Sequence, residues 1–210
     1  MTIIAMCVVV YIAQMFAFQP VTAQLALAPG FVWTEPWRLV TGAFAHGGVA
    51  HLLLNMYALW VVGTFAEQLL GRARFIALYF GSALGGAAMV LAYFRLFDFT
   101  YQGAVQATVG ASGAVFGLFA ALLVLGRRIK ADIRGIAIVI AFNLVLSFTL
   151  AHISWQGHVG GMLTGAAMAA VYAYAPPKRR RLFAWLAIAG VLVLVAAVVV
   201  ATVSPMALGA

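Results

Sequence analysis

Seven nearly unbroken apolar stretches alternate with short polar, basic or Gly/Pro-bearing segments along the 210 residues. They run at about 3–18, 49–65, 75–94, 112–126, 135–150, 157–175 and 182–203. A segment crossing the hydrocarbon core as a helix needs about 17–25 such residues, and several stretches approach or reach that length. Within lipid only helices and closed barrels satisfy the backbone. These runs are too long and continuous for barrel strands, which alternate in polarity. The pattern predicts an all-α fold: a polytopic transmembrane helix bundle of about seven spans. Residues 1–175 hold six of the spans, and residues 176–210 add a basic loop and one further helix. The longest connection, Gln19 to Gly48, carries Pro20, Pro29-Gly30 and Pro36, and Trp33 and Trp37 suit the membrane interface.

Composition supports this reading: 66% of residues are hydrophobic and 8% charged, far from the balance of a soluble domain. The net charge of +8 could suggest nucleic acid, but its distribution argues for a membrane instead. Ten of the twelve Lys and Arg fall in the connections after spans 2, 4 and 6, as in Arg72/Arg74, Arg127/Arg128 and Lys178 to Arg181. The positive-inside rule then puts the N-terminus in the cytoplasm and the C-terminus outside. No nucleic-acid partner is expected. Span 1 lacks a positive n-region, which argues against a cleaved signal peptide, and no Arg-rich amphipathic leader is visible. The second feature fits a bacterial plasma membrane better than a mitochondrial one. The single cysteine, Cys7, lies within span 1 with no base near it in sequence and reads as inert.

Polar residues inside a bilayer are costly and mark function. Ser112 opens span 4 within Gly110-Ala111-Ser112-Gly113, fifteen steps or roughly 22 Å above Arg127. His51 and Asn55, i and i+4, share one face of span 2, and Asn55 stands about 18 Å above Glu67. His158 begins span 6, about 26 Å above Ala175. Three helices thus bring polar groups to one layer toward the outer face. Gly113/Gly117 and Gly157/Gly161/Gly165 form small-residue faces that let spans 4 and 6 approach closely. Each feature alone is ordinary packing or interhelical bonding; their shared depth points to a site. A serine needs a base to take its proton, His serves near neutral pH, and an Asn amide and a His N–H can hold an oxyanion. No acidic third member is evident, so the chemistry reads as a Ser–His dyad. His46 and His152 read as loop histidines. No cofactor or metal is called for; the His-Glu-x-x-His pattern of zinc peptidases is absent.

The ordered motifs carry a resemblance. Glu35-Pro36-Trp37-Arg38, His46-x4-His51-x3-Asn55, Gly110-Ala111-Ser112-Gly113 and Trp155-Gln156-Gly157-His158-Val159-Gly160-Gly161-x3-Gly165 together resemble the rhomboid intramembrane serine proteases. The resemblance implies Ser112 as nucleophile and His158 as base. It implies His51, Asn55 and the Ser112 backbone N–H as oxyanion holders, and Trp37 and Arg38 as structural residues of a membrane-embedded first loop. His46, Gly110, Gly113 and Phe116 are candidate active-site support; Phe116 stands where the family often has a tyrosine under the catalytic histidine. The implied partners are transmembrane protein substrates and membrane lipid. Substrate would approach laterally near spans 2 and 5 and be cleaved near the outer face, often after a small residue. Two other functions compete. A catalytically dead relative that binds membrane proteins is disfavoured by the intact Ser112/His158 pair. A transporter would show inverted repeats and paired broken helices, and neither is visible.

Overall fold

The computed structural model describes residues 1–149 and 153–207. His152, expected as a loop histidine, lies outside the described residues. Ten α-helices are present among the described residues: α1 Thr2–Phe16, α2 Phe18–Leu25, α3 Arg38–Thr41, α4 Val49–Leu70, α5 Arg72–Phe97, α6 Tyr101–Val105, α7 Ser112–Arg128, α8 Arg134–Thr149, α9 Trp155–Tyr174 and α10 Arg180–Ala207. Helices α1, α4, α5, α7, α8, α9 and α10 occupy the places of the seven expected spans. The chain is a multi-pass membrane protein built as a helix bundle. Three helical stretches, Val49–Leu70, Arg72–Phe97 and Pro177–Thr202, are long and apolar enough to cross a membrane on length and composition alone. The others are shorter or, in α9, diluted by glycine.

The first span ends earlier than its apolar run. Helix α1 stops at Phe16 and α2 begins at Phe18. Pro20 explains the break: continued helix would drive its ring into the carbonyl of Phe16, whereas in the first turn of a new helix its missing N–H costs nothing. The stretch expected as plain connection thus begins with a helix. Between α4 and α5 the chain reverses at one residue, Gly71, whose φ of 78° is open to glycine at no steric cost. The Pro176-Pro177 pair closes α9.

The segment between α1 and α4 is folded back on itself by one side chain. Arg38 is buried and donates from Nε to Glu35 Oε2 at 2.6 Å and from one terminal nitrogen to the carbonyls of Ala23 (2.5 Å) and Ala26 (2.7 Å). Its other terminal nitrogen pairs with the same Glu35 carboxylate. Trp37 donates from its indole to the Gln24 carbonyl at 3.3 Å and remains half exposed. A second tie joins α1 to the approach to α4. The fully buried Gln14 donates to the His46 carbonyl at 3.1 Å and accepts from the His46 N–H at 3.0 Å.

The core is a three-helix stack of α5, α7 and α9, with α4 against α7 and α5. Glycine makes it tight. A methyl group at Gly161 or Gly165 would run into the backbone of Gly113 or Gly117, and one at Gly85 into Thr164. The expected mating of the glycine faces of spans 4 and 6 is therefore present, and α5 joins it. Helix α10 lies against α5 and α9 and turns Leu192, Val193 and Leu194 outward, as a lipid-facing surface does. Helix α8 is held by α7 and α9; of its side chains only Ile140 and Ser147 are buried.

Candidate active site

Ser112 is the first residue of α7, so its own N–H has no partner within the helix. The turn before it is strapped to the first loop. Leu27 and Thr108 exchange backbone hydrogen bonds of 3.0 and 2.8 Å, and the Gly110 N–H donates to the Gly42 carbonyl at 2.9 Å. Gly110 has φ 122°, a conformation L-residues rarely adopt, and a Cβ there would approach the His51 ring to 2.7 Å. That residue must be glycine on both counts.

The glycine contacts between α7 and α9 bring His158 to Ser112. His158 Nε2 lies 2.7 Å from Ser112 Oγ. The imidazole stacks on Phe116, centroids 4.2 Å apart and planes 12° off parallel, so the stacking survives with phenylalanine while any contact from a phenol hydroxyl is lost. On its other edge, His158 Nδ1 lies 2.7 Å from Ser147 Oγ of α8. Ser147 escaped the sequence reading. Its signal was an Asn143/Ser147 pair one turn apart in an otherwise apolar span, of the kind that marks a polar contact inside a bilayer.

His51 and Asn55 reach the same space from α4. Both line, with Ser112 and His158, a cavity of about 760 Å³ that also touches Tyr57 of α4 and Asn143 of α8. The Gly47 N–H donates to His51 Nδ1 at 3.3 Å. That nitrogen is therefore the acceptor and Nε2 carries the proton, on the edge facing Gly110. The Asn55 amide donates to the His51 carbonyl at 2.9 Å, within its own helix. One of its amide hydrogens thus holds the side chain while the other is free to donate elsewhere.

His46, expected in a loop, is in one and is fully buried there. Its ring packs edge-on to His51 at 5.2 Å and its Nδ1 is 3.1 Å from the Phe44 carbonyl. It supports His51 without reaching Ser112. Gly113 packs against the Gly157 carbonyl, and Trp37 and Arg38 organise the first loop. No group of three or more His, Cys, Asp or Glu able to hold a metal occurs among the described residues.

The fold places a serine–histidine contact beside a cavity in a helix bundle. The Rhomboid domain model matches residues 34–175, and the chain belongs to the rhomboid family. Among curated relatives, Rhomboid protease GluP of Bacillus subtilis is 36% identical over 137 residues, 62% of this chain and 25% of that protein. Putative rhomboid protease YdcA of the same organism is 32% identical over 136 residues, 62% of this chain and 64% of the relative. Rhomboid protease AarA of Providencia stuartii is 29% identical over 166 residues, 69% of this chain and 58% of the relative. The chain spans between a quarter and just under two thirds of the length of these three relatives.

Proposed function

We propose that this chain is an intramembrane serine endopeptidase that cleaves transmembrane segments of membrane proteins by a Ser112–His158 dyad. The observation carrying the reading is the 2.7 Å contact from Ser112 Oγ to His158 Nε2 on the wall of the cavity. Attack on the scissile carbonyl forms the Oγ–C bond as the hydroxyl proton passes to His158 Nε2. The oxyanion is held by the Ser112 N–H, by His51 Nε2–H and by the free amide hydrogen of Asn55. Collapse breaks the C–N bond, and His158 returns the proton to the leaving amine. Water then attacks the acyl-enzyme with His158 as base, and the carboxylate product leaves a free Ser112 hydroxyl.

Residues 1–175 form the catalytic core in this reading, and residues 176–210 add a basic cytoplasmic loop and a further span. The charge distribution supports an N-terminus in the cytoplasm and a C-terminus outside. Ser112, fifteen residues above the Arg127/Arg128 pair, then works near the outer face. The cavity touches α4 and α8 residues, which supports lateral access of substrate between those helices.

The test is labelling with a fluorophosphonate and cleavage of a single-span reporter protein in the membrane-reconstituted chain. Ser112→Ala and His158→Ala should each abolish both, and chelators should change neither. Reporter binding without labelling or cleavage would favour an inactive relative that only binds membrane proteins. Loss of cleavage on chelation, restored by zinc, would refute the serine mechanism.

A further inference from the structure

The Ser147 hydroxyl is shared between two acceptor-bearing groups. It is 2.7 Å from the Asn143 carbonyl one turn back on α8 and 2.7 Å from His158 Nδ1. The side chain is buried, so both contacts are made away from water. A hydroxyl has one proton and two lone pairs, and a carbonyl oxygen can only accept. If Ser147 gave its proton to His158, its oxygen would face the Asn143 oxygen at 2.7 Å with no hydrogen between them. The proton therefore goes to Asn143, and Ser147 accepts from His158. That assignment puts the imidazole proton on Nδ1 and leaves the Nε2 lone pair facing Ser112, 2.7 Å away.

We propose that Ser147 is a positioning residue, a neutral third member that holds His158 in the Nδ1–H tautomer. The inference rests on His158 acting as the base. The chain of donors runs in one direction, from Ser112 to His158 to Ser147 to the Asn143 carbonyl. A free imidazole in water favours the opposite tautomer, with the proton on Nε2, which cannot accept from Ser112. A partner on Nδ1 sets which nitrogen carries the proton. In serine hydrolases with a third carboxylate, that group performs the same service. Here, among the described residues, no carboxylate bonds the imidazole, and a hydroxyl back-bonded to its own helix takes the place. When the Ser112 proton reaches Nε2, the Nδ1–H bond to Ser147 becomes charge-assisted and strengthens. Ser147 touches neither substrate nor the reacting atoms; it acts through His158. It is also the buried polar side chain of α8, a helix with little else buried. The seating of α8 is thereby linked to the protonation pattern of the base.

The experiment uses the full chain in bilayers with ¹⁵N-labelled histidine, His158 being assigned by the resonance lost in His158→Gln. Neutral His158 should carry its proton on Nδ1 in the wild type and in Ser147→Thr, and should become a tautomer mixture or Nε2–H in Ser147→Ala. Fluorophosphonate labelling of Ser112 should slow roughly 10- to 100-fold in Ser147→Ala, the worth of a hydrogen bond to a charged partner. Labelling should recover in Ser147→Thr, and reporter cleavage should fall in kcat with KM near wild type. Nε2–H in the wild type overturns the inference whether or not any variant folds. So does an unchanged tautomer and labelling rate in Ser147→Ala. A wild-type chain that is Nδ1–H yet never labels at Ser112 would instead overturn the protease reading and leave the tautomer assignment standing.

Discussion

Gly161→Ala tests whether backbone proximity of α7 and α9 builds the site. A Cβ at Gly161 would stand 2.7 Å from the Gly113 carbonyl carbon and 3.1 Å from its Cα. Carbon atoms in ordinary contact are about 3.5–4.0 Å apart. Neither atom it meets is a side-chain tip that can swing aside, so the helices must separate locally by about 1 Å. Ser112 directly precedes Gly113, and His158 lies nearly one turn before Gly161, so the separation falls on their contact. A 2.7 Å bond lengthened by that amount passes about 3.5 Å and ceases to be a hydrogen bond. Misplacement of about 1 Å costs on the order of 10²-fold in rate. Stability should fall by less than the clash suggests. Overpacking costs ~1–3 kcal/mol, and replacing a helical glycine by alanine returns up to ~1 kcal/mol. The assay is the rate of fluorophosphonate labelling per folded molecule, with melting temperature measured alongside. Gly190→Ala in α10, where a Cβ meets nothing within 4 Å, is the control and should label at the wild-type rate. Wild-type labelling by Gly161→Ala would refute the claim that glycine contact sets the Ser112–His158 distance.

Other perturbations separate chemistry from scaffolding. Asn55→Ala should lower reporter cleavage about 10²–10³-fold, the worth of one oxyanion donor, with little change in melting temperature; normal turnover per folded molecule would remove Asn55 from the site. Arg38→Ala should act on stability instead, by ~1–3 kcal/mol, since it orphans the Ala23 and Ala26 carbonyls; an unchanged melting temperature would show that the first loop is held by other contacts. A topology reporter after Ala210 should report outside and one within 178–181 inside; the reverse at either place would overturn the orientation.

The pattern of apolar runs by itself determined the helical membrane class, because lipid leaves the backbone few alternatives. The spacing of Gly113/Gly117 and Gly161/Gly165 determined which two helices could touch, since small residues every fourth position leave one open face. Ser112, His51, Asn55 and His158 were legible because ionisable and polar side chains are conspicuous in such surroundings. The break at Ala17 was legible only in part. Pro20 announced a boundary, but whether the chain restarted as helix or loop depended on the Arg38 and Thr41 contacts made to α2 residues from more than ten positions away. Tertiary structure alone decided the partners of the two His158 ring nitrogens. Ser147 is eleven residues from His158 and on another helix, so no local pattern pairs them. The His51 tautomer turns instead on a local contact, the Gly47 N–H four residues back, a backbone group present at nearly every position and marked by no residue type. Sequence chose which side chains were present; the packing of α7, α8 and α9 decided which nitrogen of His158 faces Ser112.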